Sequence, residues 1–157
     1  MTKITFIFLL FVNIVSSQQN DAADNIKSLP RLDAFINDFE DLLLFHQETI
    51  LDTSVKSFFE HKNIGITVVC VESIGPYKDF YSYSLDLARV SNRGKILIVV
   101  SKNLRAIQIQ NSDDVLDRLT NEETEFILEN HILPEFKKDK YFKGLLNGIA
   151  EIKKEFN

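Results

Sequence analysis

Cysteine, glycine, proline and tryptophan are scarce in this chain. Of 157 residues, one is Cys, five are Gly, three are Pro and none is Trp. A single Cys excludes a disulfide framework and a multi-cysteine metal site. The five glycines form no G-x-G-x-x-G, no Walker A loop and no G-x-S-x-G elbow. H-E-x-x-H is missing too, and His46, His61 and His131 are scattered with no paired spacing for zinc. Positive charge is also short. With 18 Lys and Arg against 23 Asp and Glu, the net charge is -5, which argues against holding a nucleic-acid backbone. What the chain does have is core material: 45% hydrophobic residues, with thirteen Phe and four Tyr, in a length that suits one domain.

The amino terminus reads as an address. Lys3 supplies a short positive region, and Ile4 to Val15 form an apolar run broken by Thr5 and Asn13. Val15 and Ser17 are small enough for a signal-peptidase site, so residues 1–17 are expected to be a secretory signal. About a dozen apolar residues are too few to span a bilayer, which takes roughly 20. No Cys stands near the junction for a lipid anchor, and no later apolar run is long enough to cross a membrane. Residues 18–30, QQNDAADNIKSLP, are polar and end in Pro, as a flexible leader would. One domain is expected over 31–157, exported to the periplasm or secreted. Cys70 lies inside the run ITVVCVESI, where a small buried hydrophobe is its ordinary role.

Periodicity then sketches an α/β fold. Residues 46–61 carry Leu51, Val55, Phe58 and Phe59 at helical spacing. Ile64–Ser73 is a dense β-branched run opened by Gly65 and closed by Gly75–Pro76, as a buried strand is. Tyr77–Val90 returns to helical period with Tyr81, Leu85 and Ala88 on one stripe. Residues 91–94 form a turn, and Lys95–Ser101 is a second buried strand. In Arg105–Gln110, Ile107 and Ile109 alternate with glutamines, and the short link predicts an antiparallel hairpin. Thr120 with Glu123 has capping-box spacing ahead of a helix that Pro134 ends or kinks. Asp139 is placed to cap a last helix striped by Tyr141, Leu145, Ile149 and Ile152. Strands alternating with helices imply layers, with the sheet between helices.

Two groups of oxygen ligands stand out. Asp33, Asn37, Asp38, Glu40 and Asp41 precede the first long helix, and Asp113, Asp114 and Asp117 follow the third strand. Hard cations such as Ca²⁺ draw six to eight oxygens from several loops. Acids also solvate loops and cap helices, which is their commoner role. If the third strand is antiparallel, the 91–94 turn and the 113–117 loop meet at one sheet end.

The order of these features resembles the TPM domain family, a thylakoid-lumen and bacterial-envelope domain described as phosphatase-like. The likeness runs from about Leu29 to Ile152. It is carried by Ile36–Asn37–Asp38–Phe39–Glu40–Asp41–Leu42–Leu43, by the strand opened by Gly65, by Asn92–Arg93–Gly94 before the apolar strand, and by Ile132–Leu133–Pro134–Glu135–Phe136 with Tyr141 and Gly144–Leu145. In the family the turn before that strand reads Asp-Asn-Gly, so Asn92 and Arg93 are departures. The Gly-x-Gly-like stretch expected after the third strand is replaced by Ser112, Asp113 and Asp114.

The resemblance implies a three-layer α/β/α sandwich with a small central mixed sheet. It also implies Ca²⁺ or another divalent cation as ligand, with Asp38, Asn92, Asp113 and Asp114 as its candidate holders. Asp38 and Arg93 become the catalytic candidates, the first as base or metal ligand and the second against phosphate. The expected function is a partner- or cation-binding module of the cell envelope with weak or no catalysis, its partner an envelope or membrane protein. The alternative is a metal-assisted acid phosphatase acting on phosphomonoesters. Replacing Asp by Asn at a cation site removes a full charge and Arg93 adds an opposing one, which favours the first. Export is directly testable. Recovered from the envelope or medium of a producing cell, the chain is expected to begin at Gln18 by mass spectrometry of its amino-terminal peptide, and a protein still beginning at Met1 would contradict the signal.

Overall fold

A computed structural model describes Ile26 and residues 28–157. The expected signal and most of the leader lie outside these residues. Residues 1–30 and 31–157 separate as two units, and the second is the domain described here.

Its elements are β1 (Ile36–Asp38), α1 (Phe45–Lys62), β2 (Ile66–Cys70), α2 (Phe80–Val90), β3 (Ile96–Ser101), β4 (Ala106–Asn111), α3 (Asn121–Ile127), α4 (Leu133–Phe136) and α5 (Tyr141–Lys154). The sheet order is β1-β2-β3-β4. The first three strands are parallel and β4 returns antiparallel to β3. This is the mixed central sheet that the family resemblance implied.

Burial explains the layers. Every residue of β2 and β3 is buried, so apolar side chains leave both sheet faces and each face needs a cover. Ile66, Val68, Cys70, Ile96, Ile98 and Val100 pack into one cluster with Leu51, Val55 and Phe58 of α1 and Leu145, Ile149 and Ile152 of α5. Thr67, Val69, Leu97 and Val99 alternate onto the other face. There Gln110 of β4 donates to Ser84 Oγ of α2, fixing α2 on that side. Helices thus lie on both faces, giving three layers.

Chain order and layering have a geometric consequence. The β1–α1–β2 and β2–α2–β3 crossovers step in the same lateral direction, yet their helices lie on opposite faces. The two are therefore of opposite hand, and one departs from the right-handed rule for such units. Connections leaving neighbouring strands toward opposite faces open a crevice beyond the strand ends, here at the carboxyl ends of β1 and β2.

Several local expectations need correction. The predicted strand Ile64–Ser73 is narrower, and three-residue β1 is an edge strand too short for any periodicity to show. The helix predicted from Tyr77 begins at Phe80, where Asp79 caps it by accepting the Ser82 N–H. Its buried stripe is Tyr83, Ser84 and Leu87, and Tyr81 is exposed. Asp139 does not cap the last helix. It sits at φ 57° and Lys140 takes the cap position without a side-chain bond. Pro134 does not end its helix. The preceding turn widens to a π-helix over Leu128–Ile132, in which the Leu133 N–H reaches Leu128 O, and α4 continues through Phe136. The capping box of Thr120 and Glu123 forms as predicted.

Glycine matters where backbones touch. Gly65 O accepts the N–H groups of Lys95 and Ile96, and a β-carbon on Gly65 would overlap the Arg93 carbonyl. This contact fastens the turn before β3 to the start of β2. Gly65→Ala is expected to lower stability by about 1–3 kcal/mol, because backbone must move to admit the methyl group; urea unfolding measures it, and a midpoint equal to that of the parent would contradict the packing.

Candidate functional site

The sheet register sorts the candidate residues into two groups. Asp38 pairs with Cys70, and Cys70 with Val100, so Asp38 stands at the carboxyl end of the parallel strands. Asn92 and Arg93 precede β3. Asp113 and Asp114 follow Asn111, which pairs with Ile96 at the opposite end. Four residues of strand, at about 3.3 Å each, separate Ile96 from Val100, or roughly 13 Å before any lateral distance is added. Oxygens around one Ca²⁺ lie 2.3–2.6 Å from it, so ligands to one ion are within about 5 Å of each other. Asp38 therefore cannot share an ion with Asn92, Asp113 and Asp114. Nor can Asp38 and Arg93 act on one phosphate. The hairpin does bring the 91–94 turn and the 113–117 loop to one end, as its predicted sense required.

At the carboxyl end, the β1–α1 loop is a closed arrangement of acids. Asp38 spends both carboxylate oxygens on backbone: Oδ1 accepts the Glu40 N–H at 3.2 Å and Oδ2 the Leu43 N–H at 2.7 Å. Glu40 spans to the β3–β4 turn, its oxygens accepting the Lys102 N–H at 2.9 Å and the Asn103 N–H at 2.7 Å. Asn103 in turn donates to Glu72 O beyond β2. Glu40 and Asn103 together thus tie the loops after β1, β2 and β3. Asp41 takes the left-handed conformation at φ 52°. Partial burial, then the negative charges of Asp38 and Asp41, push the Glu48 carboxyl above its ordinary range. Burial, with Asp38 next, pushes the Cys70 thiol well up, so this fully buried cysteine stays protonated and is no nucleophile.

At the other end, Lys95 forms an ion pair with Asp114. That ammonium and the Ser112 hydroxyl hold the Asp114 carboxyl below the usual range. A cavity of about 430 Å³ opens here between α2 and the sheet, bordered by Ala88, Arg89, Gly94, Lys95, Gln110 and Asp113. Among the described residues, no group of three or more His, Cys, Asp or Glu is arranged to hold a metal ion. No described helix is long and apolar enough to cross a membrane.

Sequence reasoning placed Glu40 in an acidic group but missed its partners. Lys102 and Asn103 lie more than sixty positions away and offer their backbone, which no side-chain pattern reveals. Glu48 was missed as well, because it sits inside the helix that the acid group precedes.

A mixed sheet between helices, with a crevice at the carboxyl ends of β1 and β2, defines a three-layer α/β/α domain. The sequence pattern of the TPM domain matches residues 36–155, and the chain belongs to the TPM domain family. Solved structures agree on the fold. The solution structure of an N-terminal domain from P. gingivalis aligns with TM-score 0.69 at 20% identity, covering 86% of this chain and 85% of that one. An N-terminal domain from Corynebacterium glutamicum aligns with TM-score 0.63 at 10% identity over 83% and 85%. The BA42 protein of the psychrophilic bacterium Bizionia argentinensis aligns with TM-score 0.63 at 17% identity over 75% and 83%. No curated protein matches.

The Glu40 tie has a measurable signature. In Glu40→Ala the amides of Lys102 and Asn103 lose their acceptors, and hydrogen exchange at both is expected to speed up by about tenfold or more, the worth of a hydrogen bond of about 1.4 kcal/mol to a charged group. Exchange as slow as in the parent would show that Glu40 does not hold the turn.

Proposed function

We propose that this chain is an exported TPM domain that works as a binding module of the cell envelope, for a protein partner or a divalent cation, with weak or no catalysis. The observation that carries this reading is the separation of Asp38 from Arg93, Asn92, Asp113 and Asp114 at opposite sheet ends. Metal-assisted phosphoester hydrolysis needs a cation, a group neutralising phosphate and an activated water within a few ångströms of one phosphorus. The nominated residues do not meet there. Each end is also partly spent: Asp38 on the Glu40 and Leu43 N–H groups, Asp114 on Lys95.

Between partner and cation, exposed side chains favour a partner. Leu44 at the cap position and Phe45 at the start of α1 have 61% and 85% of their surface exposed, beside the Asp38–Asp41 loop. Apolar side chains grouped at a site rim are a common mark of protein contact. Export rests on the composition of residues 1–17, and an envelope or membrane protein is the partner that location would offer.

The decisive test is hydrolysis of p-nitrophenyl phosphate by residues 18–157, with EDTA, Ca²⁺ or Mg²⁺, for the parent, Asp38→Ala and Arg93→Ala. Turnover is expected at or near background in all three and indifferent to metal. Metal-dependent turnover that both substitutions abolish would overturn the reading in favour of a phosphatase.

A further inference from the structure

A separate cavity of about 340 Å³ lies between the β3–β4 turn and the α4–α5 connection, at the carboxyl end of β3. It contains none of the residues discussed above as metal or catalytic candidates. Ile107, Leu133 and Phe136 make an apolar floor, and Tyr141 forms a wall, its ring 4.7 Å from that of Phe136. Two cations, Arg105 and Lys137, border it with one acid, Asp139. Neither cation has an ion-pair partner among the described residues, so the lining carries one net positive charge in a protein whose overall charge is -5.

Two further features distinguish this cavity from a packing defect. Ser101 lines it and is 1% exposed. Its Oγ accepts the Leu104 N–H at 3.1 Å, which bends the chain into the turn that carries Arg105. Arg105 occupies the left-handed region at φ 51°, where a non-glycine residue costs about 1 kcal/mol. Glycine would fill that turn without strain, so a charged side chain is kept there against a backbone cost. The Arg105 charge reaches the Tyr141 hydroxyl, opposing the upward push of burial and of Asp139 on its proton affinity.

We propose that this cavity binds a small monocarboxylate with an apolar or aromatic body, the carboxylate held by Arg105 and Lys137 and the body seated on Ile107, Leu133 and Phe136. The net charge matches one negative charge, and the apolar floor disfavours a bare inorganic anion. The volume is near the lower end of the ~300–1,000 Å³ typical of ligand pockets, which limits the body to about one ring or a short branched chain. Such a carboxylate comes either from a free acid or from the carboxyl-terminal residue of another chain. The proposal does not rest on the binding-module reading, since the cavity would stand equally beside an active phosphatase site.

The test is amide chemical-shift titration of residues 18–157. The probes are 3-phenylpropionate, its neutral amide, inorganic phosphate, and the peptide Ala-Ala-Phe with a free or amidated carboxyl terminus. Saturable shifts centred on Ser101, Arg105, Phe136 and Tyr141 are expected with 3-phenylpropionate and with the free peptide. The better binder of these two identifies the source as a free acid or a chain terminus. Equal binding of the amides, stronger binding of phosphate, or no saturation by any probe up to about 10 mM, a limit near 3 kcal/mol of binding, would overturn the proposal. Arg105→Gly separates recognition from folding, because it removes the guanidinium while easing the backbone. It is expected to weaken 3-phenylpropionate by about tenfold or more, ~1.4 kcal/mol, with an unchanged or raised melting temperature. Undiminished binding in that variant would refute the assigned role of Arg105.

Discussion

Two strands buried on both faces govern this domain. β2 and β3 present apolar side chains upward and downward, and all eleven of their residues are shielded from water. At ~25 cal/mol per Å² of apolar surface, leaving either face bare would cost far more than any loop contact returns. So α1 and α5 must cover one face and α2 the other. Because the chain also steps β1, β2, β3 in order, the two crossovers take opposite hands, and the crevice opens at the carboxyl ends of β1 and β2. The location of the candidate sites follows from that burial requirement.

Much of this was legible in the sequence, for physical reasons that differ between elements. A strand buried on both faces reads as an unbroken β-branched run, and Ile66–Cys70 and Ile96–Ser101 are such runs. In β4, the alternation of Ile107 and Ile109 with Gln108 and Gln110 marked the hairpin. Long amphipathic stripes marked α1 and α5. β1 escaped because three residues at an edge have no period. The face of α2 was misjudged because Phe80–Tyr81–Ser82–Tyr83–Ser84 alternates aromatic and small residues and supports two stripes. The choice fell to tertiary contacts: Tyr83 stacks edge-on against Tyr77, and Ser84 accepts from Gln110. Asp139 looked like a cap by type, but its left-handed backbone turns it out of that role.

The site was legible only in halves. Antiparallel pairing of β4 sufficed to bring the 91–94 turn beside Asp113 and Asp114, and that pairing follows from a short link. Locating Asp38 required the direction of a strand that could not be seen. Once β1 is known to run parallel to β2, Asp38 falls at the far end, and residues nominated together by the family resemblance prove distant in space. The bonds that organise the carboxyl end were illegible for another reason. Glu40 reads backbone N–H groups across sixty positions, and backbone donors carry no residue signature.

Independence of the two acid-bearing ends, with no ion or phosphate engaging both, is what the strand register requires. Manganese broadening tests it most directly, since Mn²⁺ relaxes amides steeply with distance and occupies oxygen sites suited to Ca²⁺. With sub-stoichiometric Mn²⁺ added to residues 18–157, broadening is expected at one end or at neither, with residues 38–43 and 112–115 never broadened by the same titrating site. Broadening of both segments with a single shared affinity, abolished together by Asp38→Ala, would contradict it.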